Sequence, residues 1–134
     1  MYNAITDIEG IKVGHATNLL AYTGCTVILC EKRAIGGVDI RGTAAGTRQM
    51  NALNMLHTVE EVNAILLAGG SAYGLDAAGG VMKYLEEQGR GFNVSFTTVP
   101  IVPTAIIFDL GFGDYRVRPD KEMGYEACLY ANAG

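Results

Sequence analysis

Apolar positions cluster most clearly between residues 63 and 91. An unbroken run, Ala64-Ile65-Leu66-Leu67-Ala68, gives way to Gly69-Gly70 and then to Leu75, Ala78, Met82 and Leu85 at helical spacing. A run without alternation suits a strand covered on both faces. The two glycines allow a tight turn with positive φ. Ser71 is placed to cap the following helix, and Asp76 stands where the helix dipole favours an acid. Gly89 ends the helix, with Arg90 just past it. The block reads as strand, glycine turn, helix. Inside the helix, Gly79 and Gly80 cost roughly 1 kcal/mol each against alanine. Close approach of another backbone is therefore expected: a helix lying tight on a sheet, or a helix lining a site where substrate or another chain comes near.

The other blocks are shorter. Residues 5–13 predict two short strands about Glu9-Gly10, and 16–23 a loop. Residues 24–31 are rich in β-formers and predict a strand. Residues 38–40 predict a strand tip, and 42–46 a loop of small residues. Residues 49–56 predict one or two helical turns, offering Met50, Leu53, Asn54 and Leu56 for packing. Residues 92–99 read as a connector and a strand. Residues 104–110 read as a strand or a buried helical turn, which periodicity does not separate. Gly111, Gly113 and Asp114 mark a turn, and 116–120 are extended. Asp120 caps a last helix over 121–131, with Met123, Ala127 and Leu129 or Tyr130 inward. Strand and helix intermix without repeat or linker, which predicts a single mixed α/β domain portion over 1–134.

Composition narrows the classes. A net charge of −4 leaves no basic footprint for nucleic acid. No stretch approaches the length of a membrane span, and Met1-Tyr2-Asn3-Ala4 does not open a signal peptide. Cys25, Cys30 and Cys128 are odd in number, and no C-x-x-C spacing occurs. Structural cysteines in a reducing cytoplasm are expected rather than a zinc site. Glycine, at 18 residues of 134, implies many turns or close contacts.

Three phosphate or nucleophile motifs fail on the central turn. Gly74 is followed by Leu75-Asp76, which is no Walker loop. Tyr73 occupies the last glycine position of a nucleophile elbow. Gly70, Ala72 and Tyr73 do not form a dinucleotide fingerprint. Asp39 and Arg41 share a face if extended, and either pair with each other or face a pocket. His15 is expected to satisfy a backbone group at a strand end. No Ser or Thr is expected beside a His, so no nucleophile is expected in this chain.

Five stretches in order carry a resemblance. They are Asn3-Ala4-Ile5-Thr6-Asp7-Ile8-Glu9-Gly10-Ile11-Lys12-Val13-Gly14-His15; Gly37-Val38-Asp39-Ile40-Arg41-Gly42; Gly69-Gly70-Ser71-Ala72-Tyr73-Gly74-Leu75-Asp76-Ala77-Ala78-Gly79-Gly80-Val81; Pro100-Ile101-Val102-Pro103 with Ile107-Phe108-Asp109; and Arg118-Pro119-Asp120-Lys121. Together they resemble the DmpA-type aminopeptidases, a family that includes β-aminopeptidases and nylon-oligomer hydrolases and belongs with the ornithine acetyltransferases. The resemblance implies part of a four-layer α/β/β/α sandwich like that of the N-terminal-nucleophile hydrolases. It implies a precursor that cuts itself before a Ser or Thr, whose freed amine serves as base for its own hydroxyl. It implies amide hydrolysis through an acyl-enzyme, without metal or organic cofactor.

By the same resemblance the nucleophile lies beyond Gly134, so this chain is expected to be the N-terminal part and inactive alone. Its expected partners are the C-terminal part of the same precursor, further copies in a homo-oligomer, and a peptide or small amide substrate. Neither nucleic acid nor membrane is expected. Arg41, Gly42, Ser71, Tyr73, Phe108 and Asp109 fall at strand ends or glycine turns, where α/β folds place ligands. They are the candidate lining of the cleft, with Tyr73 and Phe108 as apolar walls and Arg41 and Asp109 as supports. Two departures bear on specificity. The loop Gly42-Thr43-Ala44-Ala45-Gly46 lacks the acid that amine-trimming members tend to carry, so an ammonium group would lack that partner and both aminopeptidase and endo-acting amidase action stay open. Phe108 stands where nylon-oligomer hydrolases carry a tyrosine, and a phenyl ring donates no hydrogen bond. An ornithine acetyltransferase-like acyltransferase and a non-catalytic small-molecule-binding domain remain as alternatives.

Overall fold

The computed structural model describes residues 3–54, 56 and 59–134. Its strands are β1 (Ile11–Asn18), β2 (Thr23–Cys30), β3 (Thr47–Arg48), β4 (Ala64–Ala68), β5 (Phe92–Asn93), β6 (Thr98–Val99) and β7 (Thr104–Ile106). Its α-helices are α1 (Ala77–Glu87) and α2 (Lys121–Leu129), with 3-10 turns at Ile5–Asp7, Met50–Leu53 and Ser71–Asp76. The main sheet has the order β1-β2-β4-β7-β3, and β5 and β6 form a separate hairpin.

β1 and β2 form an antiparallel hairpin from Ile11↔Cys30 to Asn18↔Thr23. Its tip closes because the Asn18 side-chain oxygen accepts from the N–H groups of Leu20 (3.1 Å) and Ala21 (2.9 Å), a use of Asn that mimics a backbone turn. β4 joins β2 antiparallel and β7 parallel, and β3 pairs antiparallel with β7, so among the described strands β4–β7 is the parallel pair of an otherwise antiparallel sheet.

One face of the sheet is packed. Ala16, Cys25, Val27, Leu29, Ala64, Leu66 and Ala68 meet Ala77, Ala78, Val81 and Leu85 of α1 and Ala127 and Cys128 of α2. Glycines set how close these elements come. A Cβ on Gly80 would run into the Lys121 carbonyl, one on Gly124 into the Ala77 carbonyl, and one on Gly14 into the Ala127 carbonyl. Two helices and a strand thus touch through backbone, so the expected close approach at Gly80 is made by α2 of the same chain. A Cβ on Gly79 would instead meet the Lys121 side chain first.

The opposite face is covered at one end by a smaller cluster of Cys30, Val62 and Ile101 with Ile11 and Leu53 around it. Elsewhere that face is open. β4 alternates buried and accessible positions, and Leu67 is 48% exposed. The strand is therefore covered on one face, not both as its unbroken apolar run predicts.

Capping follows local chemistry. Asp120 accepts from the Met123 N–H at 3.0 Å and starts α2. At the end of α1, Gly89 donates to Glu86 O and Arg90 to Leu85 O, both at 2.9 Å, with Gly89 at φ +66. These are the paired bonds that close a helix through a left-handed glycine. Among the described residues nothing lies within 4 Å of a Cβ placed on Gly89, so Gly89→Ala meets only the backbone penalty. A loss of about 1–2 kcal/mol is expected, read from chemical denaturation.

Several local expectations change. Residues 5–7 form a 3-10 turn that begins at Ala4, where a strand was expected. The expected loop at its first three residues is β1, which runs on to Asn18. Residues 38–40 form no strand and are exposed. Leu56 is exposed rather than packed. Cys128, not Leu129 or Tyr130, points inward from α2, because the Gly124–Ala77 approach sets which side of α2 faces α1. His57 lies outside the described residues. Among the described residues, no helix is long and apolar enough to cross a membrane.

Candidate functional site

β4 and β7 run parallel, and ligands collect beyond the carboxyl ends of such strands. At that edge the chain leaves β4 through Gly69-Gly70. The Gly69 N–H donates to Gly24 O (2.9 Å), extending the pairing with β2 by one residue. Gly70 and Ser71 then both take positive φ, +81 and +54. The Ser71 N–H donates to Ile107 O (3.0 Å), and the Ile107 N–H to Ala68 O (2.9 Å), which ties the turn to the exit of β7.

Asp109 completes the turn. Its Oδ1 accepts from the Gly70 N–H at 2.6 Å, and its Oδ2 accepts from the Thr23 hydroxyl at 2.8 Å. A Cβ on Gly69 would collide with both Asp109 Oδ2 and Thr23 Oγ1. The two glycines therefore serve different ends. Gly70 supplies the left-handed φ; Gly69, whose φ is not positive, makes room for the carboxylate. Asp109 braces the turn from residues distant in sequence rather than capping its own loop. Charge-assisted bonds of this kind are short and strong.

Ser71 does not cap the helix. It is the first residue of the 3-10 turn, and neither it nor Asp76 makes a side-chain cap bond. Asp76 Oδ1 instead lies 3.9 Å from Lys121 Nζ. Tyr73, on the same 3-10 turn, is 59% exposed, and the Arg118 guanidinium sits 3.8 Å from its ring centroid.

On the open face beside this edge lies a groove of about 990 Å³. Leu67, Phe108, Leu19, Tyr22 and Phe112 give it an apolar wall, and Thr23, Gly69 and Asp109 also line it. Ser71 and Tyr73 stand outside it. Four sequence-predicted residues, Ser71, Tyr73, Phe108 and Asp109, thus gather at one end of the sheet. Arg41 and Gly42 do not join them. They lie on the exposed segment ahead of β3, where Arg41 Nε donates to Asp39 at 2.7 Å. Thr23, Gly69 and Arg118 were not singled out as site residues by the sequence. The glycine pair was a signal for Gly69, and none marked Thr23.

One pair contradicts the expectation of no Ser or Thr beside a His. His15 Nδ1 and Thr26 Oγ1 are 2.8 Å apart on the open face, as cross-strand neighbours in β1 and β2. His15 therefore meets a side chain in mid-strand, not a backbone group at a strand end. The hairpin register places the two side by side, which strand spacing alone does not foretell.

The three cysteines are free and buried. Burial first, then the Asp120 and Glu126 charges, pushes the Cys25 thiol up to about 11. Burial, then Cys25, pushes Cys128 up to about 12. Both folded values lie above the ordinary 9.0, so the fold favours the neutral thiol. Their contribution to stability is whole below that value and is lost as pH rises through 11 to 12. Melting temperature is expected to fall across that alkaline window. At about pH 8 a thiol reagent is expected to label the protein only after denaturant is added.

Among the described residues, no three His, Cys, Asp or Glu stand together as a metal site.

The fold is similar to that of a protein from Pyrococcus horikoshii, with a TM-score of 0.79 at 23% identity over 98% of this chain and 41% of the other. It is similar also to the L-aminopeptidase D-Ala-esterase/amidase of Ochrobactrum anthropi, described as a variant of the Ntn hydrolase fold, with a TM-score of 0.78 at 17% identity over 99% of this chain and 41% of the other. At these identities the likeness concerns the fold. In sequence, the chain is 49% identical to an uncharacterized aminopeptidase of Mycobacterium leprae over 96% of its length, and 35% identical to a 6-aminohexanoate-oligomer endohydrolase of Kocuria over the same share. It spans 38% and 34% of those curated relatives' own lengths. Residues 3–131 match the family described as Peptidase family S58, and the chain belongs to that family.

Proposed function

We propose that this chain is the N-terminal, non-nucleophile part of a self-processing amide hydrolase. The observation that carries the reading is the pattern of coverage. Relatives named aminopeptidase and oligomer endohydrolase align with 96% of this chain, while it covers only 38% and 34% of them. The open sheet face supports it, because an apolar face of this size is ordinarily covered. The nucleophile is a Ser or Thr that heads the second chain after self-cleavage, with its own amine as base. This chain supplies the cleft wall. Phe108 and the groove contact substrate, and Asp109 and Thr23 hold the turn that carries Tyr73. The loop 42–46 holds no acid to take an ammonium group, which supports endo action on amides over trimming of free amino termini.

The test begins with the full-length gene product. Mass spectrometry is expected to find two chains, the second beginning with Ser or Thr. Replacing that residue by alanine is expected to abolish both cleavage and amide turnover. An uncut chain with full activity overturns the reading. The 134-residue chain alone is expected to show no turnover of an aminoacyl-nitroanilide. In the intact enzyme, Phe108→Ala is expected to alter substrate preference more than stability, since Phe108 is 75% exposed in this chain.

A second reading has one specific observation behind it, the His15–Thr26 contact. A hydroxyl 2.8 Å from an imidazole has nucleophile-and-base geometry. Among the described residues, the hydrogen-bond partner of the imidazole is Thr26 itself, and the groove there is mostly apolar. Turnover by the isolated chain, lost in Thr26→Ala and kept in Ser71→Ala, is what this reading requires.

A further inference from the structure

Five of the six arginines have their guanidinium groups engaged. Arg33 pairs with Glu60 and Glu61, Arg41 with Asp39, and Arg116 with Asp114. Arg48 donates to Leu75 O and Met82 Sδ, and Arg90 to Cys30 O. Arg118 differs. Among the described residues its guanidinium has no hydrogen-bonded or ionic partner and only the face of Tyr73, 3.8 Å from the ring centroid.

The stem of Arg118 lies against Gly70. Its Cβ and Cγ lie 3.1 and 3.4 Å from where a Gly70 side chain would begin, and the next residue, Pro119, is buried. A guanidinium over an aromatic face binds through its π surface and keeps its N–H edge free, in the planar fork that matches a carboxylate. The nearby acid of the turn, Asp109, is already taken by Gly70 N–H and Thr23 Oγ1. The charge of Arg118 thus stays unneutralised, on a side chain whose stem lies beside Gly70, the residue after Gly69 of the groove lining.

We infer that Arg118, held over Tyr73 beside the glycine turn, is a subsite for a carboxylate on the substrate, and so determines specificity for acidic amides. The inference rests on the amide-hydrolase reading for the ligand being a substrate, but not for the binding itself. A ligand carboxylate fits the arrangement because it meets the fork; the groove, whose lining includes Gly69 but neither Arg118 nor Tyr73, offers an apolar surface near the same turn.

The experiment uses the full-length gene product and two probes, hexanoate and its neutral counterpart hexanamide, followed by isothermal titration. Wild type is expected to bind hexanoate at least about tenfold more tightly, the worth of a charge-assisted bidentate contact. Arg118→Gln keeps the stem over Gly70 and is expected to erase that preference. Arg118→Lys, which keeps charge but not the fork, is expected to restore part of it. Equal binding of the two probes by wild type, or no binding of either, overturns the subsite, as does a preference that survives in Arg118→Gln. In turnover, amide substrates that differ only in a terminal carboxylate or carboxamide are compared. Arg118→Gln is expected to lower kcat/KM for the acid roughly 10- to 100-fold through KM and leave the carboxamide little changed. Equal losses on both point to a structural role and overturn the proposal. If neither substrate is turned over, the hydrolase reading fails, and the titration alone decides the subsite.

Discussion

Gly79→Ala and Gly80→Ala are expected to change stability in opposite directions. Helix propensity alone makes both substitutions favourable by about 1 kcal/mol. At Gly79 the nearest atoms to the new methyl are Lys121 side-chain carbons at 3.1–3.4 Å, and a flexible chain moves aside. That variant is expected to be neutral or slightly more stable. At Gly80 the methyl itself strikes the Lys121 carbonyl and lies 2.7 Å from the Tyr125 nitrogen. No rotamer relieves a clash at Cβ, so α1 and α2 have to separate. Gly80→Ala is expected to destabilise, and Gly80→Leu to cost at least about 3 kcal/mol, the upper part of the overpacking range. Against a total of roughly 5–15 kcal/mol, that is a large share, and a melting temperature lower by about 10 °C is expected. A gain in melting temperature for Gly80→Ala shows the helix contact to be loose. The loss is expected in the folded chain itself, since the neighbour at Gly80 is α2 and not a second subunit.

Leu66→Ala and Leu67→Ala form the second test. The two residues are adjacent in β4 but face opposite sides, and Leu66 is 0% exposed against 48% for Leu67. Leu66→Ala leaves a cavity between β4 and the helices and is expected to cost about 2–5 kcal/mol, whichever length of chain is measured. Leu67→Ala is expected to cost less than about 1 kcal/mol in the 134-residue chain, where half of its surface is already wet. In the full-length product the proposal puts a second layer on that face. There the cost of Leu67→Ala is expected to rise toward that of Leu66→Ala. Denaturant melts of both variants in both lengths read the difference. An unchanged small cost for Leu67→Ala in the full-length product counts against coverage of the open face.

Much of the candidate site was legible as a place but not as an arrangement. Tyr73, Phe108 and Asp109 stand out in sequence because glycine turns and apolar runs end there, and the structure brings them to the same sheet edge. What Asp109 does was not legible. Its partners, Gly70 and Thr23, lie 39 and 86 residues away, and no local spacing encodes such distances. The same holds for His15 and Thr26, which meet only because the β1–β2 hairpin pairs them in register. Arg41 and Gly42 look like site residues only if a strand ends there, and the segment ahead of β3 forms no strand.

By itself the sequence determined the features whose causes lie within a few residues. The apolar run and glycine pair specify strand, turn and helix; Asp120 specifies the start of α2 through Met123 N–H; Gly89 specifies the end of α1 through bonds to Leu85 and Glu86. Propensity and capping act over one helical turn, so pattern reveals them. Only the tertiary structure decided which face of each element is buried and why particular glycines are glycine. Gly69 is small because a carboxylate arrives from beyond β7, and Gly80 because α2 crosses it. Cys128 rather than Leu129 enters the core, although leucine is the larger apolar side chain, because backbone contact between the two helices sets the rotation of α2. Burial and close approach depend on elements far apart in the chain, and hydrophobicity alone does not rank the ways they can meet.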